Sequence, residues 1–346
     1  MKRILMLLCL LPLLIMPVKA LDYTTPEPTG DAKELMPARD TTFAEGLWKI
    51  LRQSLGTILP NVRNTAATCA SLMAVMLLTA LLRSFPGNTG NALELAASVS
   101  TGLLLIKGSG SLISVASDTV MELSEYGKLL LPVLTGALAS QGGTTTATAL
   151  YAGTAAFDAV LTGLIRKVLI PGVSMYLILG LVSAATGEGG IKKLKAFLKW
   201  LTAWLLKGIL YLFTGYMAIT GAVSGSADAA TVKAAKLTIS SMVPVVGGIL
   251  SDASEAIVVG AGVMKGAVGV YGVLAIMAIW ITPFVRIGVQ YLMLKAVGAL
   301  CAGFELKRSA GLIEDFAAAM GILLAMTGTV LVLLLVSTVC FMKAVA

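Results

Sequence analysis

The sequence has no histidine in 346 residues. That absence removes Ser-His-Asp and Cys-His nucleophilic sites, the H-E-x-x-H zinc motif and haem held by histidine. Charge is also scarce, with 26 Lys+Arg and 18 Asp+Glu. These make up 13% of the chain, against roughly 25% in an ordinary soluble domain. The hydrophobic fraction is 57% and the mean hydropathy is +0.91. A soluble fold of this size cannot hide that much apolar surface from water. The composition therefore predicts an all-α, polytopic helical membrane protein. The four cysteines, Cys9, Cys69, Cys301 and Cys340, are far apart in sequence and sit in apolar runs. They form no C-x-x-C and read as small buried hydrophobes. No G-x-x-x-x-G-K-[ST] occurs, and Gly108–Gly110 and Gly260–Gly262 lack the third glycine of a dinucleotide fingerprint. An enzyme is not expected, nor is a cofactor or a metal site.

What is present begins with an export signal. Lys2 and Arg3 precede an apolar core from Ile4 to Met16, and Val18-Lys19-Ala20 supplies small residues for cleavage after Ala20. The alternative is an uncleaved anchor. Removing residues 1–20 deletes Lys2, Arg3 and Lys19, so the net charge falls from +8 to +5. That balance suits loops facing anionic lipid. No basic patch interleaved with aromatics points to nucleic acid.

Residues 21–40 are polar and Pro-rich and read as a poorly ordered exported linker. Phe43, Leu47, Ile50, Leu51, Leu55, Ile58 and Leu59 then recur at helical spacing. This predicts an amphipathic helix, lying on the outer membrane interface or packed as a cap on the membrane domain. Residues 21–64 thus form an exported segment, and residues 65–346 a helical transmembrane domain.

Thr65 to Leu82 is an uncharged run and the first span. Asn91 to Ser117 is a weaker helix, broken near Gly108–Gly110. Leu129 to Phe157 reads as a half-length segment, a turn at Gln141-Gly142-Gly143, and a span from Thr144 to Ile165 that Arg166-Lys167 ends. Val168 to Gly187 is a further uncharged stretch. Lys192, Lys193, Lys195 and Lys199 form the strongest positive cluster and mark the cytoplasmic side. The exported N-terminus requires an odd number of crossings before Lys192, and five segments satisfy it. The cluster reads as lipid-headgroup anchoring or as docking for a cytoplasmic partner. Further spans fall at 208–227, 266–285 and 316–342, with Lys307-Arg308 as a second cytoplasmic anchor. The total is about 7–8 transmembrane or re-entrant segments.

Residues 220–272 are apolar on average yet carry Asp228, Lys233, Lys236, Asp252, Glu255 and Lys265. Ionisable groups at membrane depth are costly and face a partner, a cavity or water. Pro244 and Gly247-Gly248 tolerate a sharp break. The expected arrangement is two half-helices meeting at Pro244–Gly248, with Ser251 or Asp252 capping the second and Glu255 in its first turn. Such broken helices line membrane cavities in transporters. The plainer reading makes Asp252 and Glu255 cap residues at an interface, with the lysines snorkelling. Asp158 and Arg286 are isolated charges, each expected to turn inward, and they are candidates for a buried pair.

K-A-A-K-L (233–237), M-V-P-V-V-G-G-I-L-S-D-A (242–253) and M-K-G-A-V-G-V-Y-G (264–272) resemble the signature of the stage III sporulation protein AE family. The resemblance implies an exported N-terminus followed by a multi-spanning domain. It also implies a role in endospore formation, in the mother-cell membrane around the forespore. There the family's complex is expected to form a transenvelope channel or feeding tube. The implied partners are ring-forming and ATPase-like sporulation subunits, with this chain as a permease-like membrane component and a possible homo-oligomer. No catalytic residues carry over. Lys233, Lys236, Pro244, Gly247, Ser251, Asp252 and Lys265 carry over as motif positions without an assigned role. The alternative to a channel subunit is an autonomous secondary transporter for a small solute.

Overall fold

The computed structural model describes residues 25–38, 41–84, 90–140, 143–186, 189–220, 267–304 and 306–345. Among these residues there is no strand. In chain order the helices are α1 (Asp31–Leu35), α2 (Phe43–Arg83), α3 (Gly90–Ser140) and α4 (Thr144–Leu164). A π-helical turn (Ile165–Leu169) carries α4 into α5 (Ile170–Thr186). Then come α6 (Gly189–Ile219), α7 (Ala267–Gly303) and α8 (Lys307–Val345). Among the described residues, six helical stretches are long and apolar enough to cross a membrane.

Several expected breaks are absent. Gly108 and Gly110 lie inside α3, as does Pro132. A glycine costs a helix only about 1 kcal/mol relative to alanine, and the flanking Leu105, Leu112 and Ala116 are all buried. Packing therefore carries the helix through. Arg166-Lys167 does not end a span either. The buried positions Leu161, Ile165, Leu169 and Val173 recur every four residues. An α-helix would drift by about 40° at each such step. The wider π turn takes up that drift and keeps one face on the core. Three long rods therefore precede Lys192, which is still an odd number, where five segments were expected.

The described part of residues 21–64 is more ordered than its composition suggests. Thr25, Ala32 and Leu35 are buried, and the Tyr126 hydroxyl donates to the Pro26 carbonyl at 3.2 Å. The amphipathic run from Phe43 does not lie on an interface by itself, because it is continuous with the apolar run 65–83 in α2. Thr42 and Glu45 start α2 with a reciprocal capping box. Ile50 and Ser54 are fully buried, and the Thr282 hydroxyl of α7 donates to Ser54 Oγ at 3.3 Å. The cap reading is therefore the one the structure supports.

α8 occupies the axis. Its apolar window is 94% buried, against 17% for α6, as expected of a helix that is apolar all round. α3, α4, α5, α6 and α7 surround it. Glycines let the rods approach closely. A Cβ on Gly153 would fall 2.0 Å from the Tyr216 ring, whose hydroxyl donates to the Ala149 carbonyl at 2.8 Å. Gly153→Ala should therefore lose about 1–3 kcal/mol by overpacking. Detergent-denaturation curves should show that loss, and Tyr216→Leu in the same chain should recover most of it. An undiminished Gly153→Ala variant would mean that α4 and α6 are not in contact.

The rods are too long for one bilayer. α3 has 51 residues, about 77 Å at 1.5 Å per residue, against a hydrocarbon core of about 30 Å. Two levels of cations divide the bundle. One end gathers Lys192, Lys195, Lys199, Lys295, Lys307 and Arg308. Nearer the middle, Arg166 and Lys167 are exposed. Lys207, also exposed, lies near their level, because Phe213 packs edge-on against Phe157 further up. From Arg166 to Thr186 the helix rises about 30 Å, a close match to a hydrocarbon core. Between the two levels α3 and α5 expose apolar side chains, Leu103, Met175 and Ile178. Beyond Arg166 the exposed faces of α2 and α3 carry charge (Glu45, Lys49, Arg52, Glu125, Lys128), those of α4 and α6 are apolar (Val160, Tyr211, Leu212, Ile219), and residues 273–281 of α7 are buried without a gap.

Candidate functional site

The lysine-rich end holds the main cavity, about 710 Å³ in volume. α5 supplies Tyr176 and Gly180, α6 supplies Lys192, Lys195 and Lys199, and α7 supplies Tyr291 and Lys295. α8 supplies Lys307, Arg308, Glu314 and Asp315. The short connections between α5 and α6 and between α7 and α8 bring these helix ends together. The Lys192–Lys199 cluster and the Lys307-Arg308 pair, each read separately as an anchor, thus line one space.

Asp315 organises the wall. Its carboxylate pairs with Lys195 Nζ and accepts from the Tyr176 hydroxyl at 3.2 Å. Both partners of the ion pair are largely buried, with side chains 11% and 15% exposed. Gly180 makes the approach possible, because a Cβ there would already lie 3.2 Å from Asp315 Cβ. Lys295 and Glu314 form a more exposed pair at 3.2 Å. Such a pair contributes little in water. Glu94 of α3 accepts from the Arg308 backbone N–H at 3.0 Å, capping α8 where its dipole favours negative charge.

The charge count is uneven. Six cations line the cavity against Glu314 and Asp315, and those two carboxylates are engaged by Lys295 and Lys195. Among the described residues, no carboxylate pairs with the side chains of Lys192, Lys199, Lys307 or Arg308. No group of His, Cys, Asp and Glu suited to a metal occurs among the described residues.

Asp158 is buried, as its isolation in an apolar run suggested. Ser124 Oγ donates to its Oδ2 at 2.5 Å, and its Oδ1 has no partner among the described residues. Arg286 is half-buried on α7. That helix packs on α8, α2 and α3, so no Asp158–Arg286 pair forms. Asp158 sits beyond Arg166, away from the cavity. Lys233, Lys236, Pro244, Gly247, Gly248, Ser251, Asp252, Glu255 and Lys265 lie outside the described residues. Sequence reasoning missed Tyr176, Lys295 and Asp315. The available signal was Asp315 itself, the last acidic residue before the uncharged run from Phe316 to Met342.

A family model for stage III sporulation protein AE matches residues 33–344. The chain belongs to the stage III sporulation protein AE family. A curated relative, the stage III sporulation protein AE of Bacillus subtilis (strain 168), is 26% identical over 176 residues. That alignment covers 51% of this chain and 44% of the relative, so less than half of the relative's length is spanned. No solved structure matches. This stage III sporulation protein is thus a helical membrane protein, and the family match takes in both α8 and the cavity.

Proposed function

We propose that this chain is a membrane subunit of the mother-cell sporulation channel, a transenvelope secretion complex or feeding tube around the forespore. It acts there with ring-forming and ATPase-like subunits and not as an enzyme. The observation that carries this reading is the family membership of a chain whose axis is filled by its own helix. With α8 buried along its length, the described part of one chain leaves no axial passage. A conduit then requires several copies or other subunits. The apolar outer faces of α2, α3 and α6 supply surface for lipid or for such neighbours.

The test is affinity purification of a tagged full-length chain from cells in mid-sporulation, in mild detergent, followed by mass spectrometry. Co-recovery of ring-forming and ATPase-like sporulation proteins is expected. Recovery of the chain alone, in a form that moves a solute after reconstitution, would replace this reading with an autonomous transporter. The cavity volume gives that alternative its support, since small-molecule sites run about 300–1,000 Å³. Asp252→Ala is expected to impair forespore development while leaving membrane insertion intact. Spore yield measured at matched protein levels checks this, and a normal yield would remove Asp252 from the mechanism.

A further inference from the structure

We propose that the lysine-rich cavity is a binding site for the phosphate-bearing headgroup of an anionic phospholipid, whose acyl chains lie in an adjoining apolar trough. Lys192, Lys199, Lys307 and Arg308 converge on one space with no carboxylate of their own among the described residues. Like charges held together in a half-enclosed space repel each other, and an anion relieves that repulsion. The Lys195–Asp315 pair and the Tyr176–Asp315 hydrogen bond tie α5, α6 and α8 together, which holds the helix ends that carry these cations side by side.

The second observation separates a lipid from a soluble phosphate. A further cavity of about 660 Å³ shares Lys295, Lys307, Gly311 and Glu314 with the first. The rest of its lining is Leu294, Gly298, Ala299, Ala302 and Ala310, which is apolar throughout. A soluble anion has no use for such a trough, whereas a double-chain amphiphile needs both parts side by side. The site also lies about 30 Å along the helices from the Arg166 level, where headgroups of the other leaflet belong. Basic pockets between membrane helices on the positively charged side bind such headgroups. The proposal needs only the membrane placement and is independent of the channel reading, so either can fail alone.

The experiment follows thermal unfolding of the purified full-length chain in mild detergent. The probes are cardiolipin, phosphatidylglycerol, phosphatidylcholine and sodium pyrophosphate. The two anionic lipids should raise the transition saturably, and phosphatidylcholine and pyrophosphate should not. The triple variant Lys192→Gln, Lys199→Gln, Lys307→Gln should need about 10- to 100-fold more anionic lipid for half the shift. Lys193→Gln, on an exposed position outside the cavity, should behave as the parent chain. Ala302→Trp, which fills the trough and leaves every cation of the cavity in the sequence, should also weaken the lipid effect and keeps the question open to refutation if the triple variant does not fold. An equal shift from phosphatidylcholine overturns the proposal. So does a shift reproduced by pyrophosphate, which would mark a site for a free phosphorylated solute. An anionic-lipid shift unchanged in both the triple and the Ala302→Trp variants overturns it as well.

Discussion

Asp315→Ala is expected to destabilise the bundle by about 3–5 kcal/mol, the cost of leaving a buried charge without its partner. Lys195 would then sit among five further cations with its carboxylate gone, and the Tyr176 hydroxyl would lose its acceptor. The effect is large because the pair is enclosed, unlike the solvent-exposed Lys295–Glu314 pair. Glu314→Ala should therefore cost less than about 1 kcal/mol. Lys195→Met with Asp315→Leu removes both charges together and should recover most of the loss, since a buried ion pair often contributes little beyond an apolar pair of similar volume. Denaturation curves for the single and double variants in detergent supply the double-mutant cycle. A coupling near zero would mean that Lys195 and Asp315 do not meet.

Cysteine labelling from outside intact protoplasts should divide the bundle into a reactive half and a silent half. Trp48 and Leu129, in the half beyond Arg166, are 67% and 54% exposed. Leu103 and Ile178, between the two cation levels, are 65% and 62% exposed. Since exposure is matched, only the bilayer distinguishes the pairs. Trp48→Cys and Leu129→Cys should react with an impermeant maleimide, and Leu103→Cys and Ile178→Cys should not. The native Cys69, Cys301 and Cys340 are buried and add little background. Equal labelling at all four sites would place the bilayer elsewhere on the rods. A silent Leu129→Cys beside a reactive Ile178→Cys would put the bilayer on the half beyond Arg166, and four silent sites would invert the molecule.

The membrane class, the helical fold and the family were all legible in the sequence. Each follows from local or summed properties: 57% hydrophobic residues, uncharged runs such as 65–82, and a motif that needs no contacts to recognise. The change of helix between Ser140 and Thr144 was legible for the same reason, because glycine acts locally. Local signals misled where packing outweighed them. Gly108 and Gly110 weaken α3 without breaking it, and Arg166-Lys167 marks a level on a continuous rod and not the end of a span. Apolar composition in 144–165 serves both a buried face (Leu150, Leu161) and an exposed one (Tyr151, Val160).

By itself, then, the sequence determined that this is a helical membrane protein of the sporulation family with its strongest positive charge around Lys192–Lys199. Only the tertiary structure decided that Lys192, Lys195 and Lys199 share a cavity with Lys307 and Arg308, more than a hundred residues away in sequence. It alone showed that Asp315 ties that cavity's wall to Lys195 and Tyr176, and that Asp158 belongs to Ser124 and not to Arg286. The reason is physical: hydropathy and helix propensity act along a few turns, whereas the pairing of charges depends on which rods lie side by side. That choice is set by the close approaches at Gly153 and Gly180 and by α8 filling the axis.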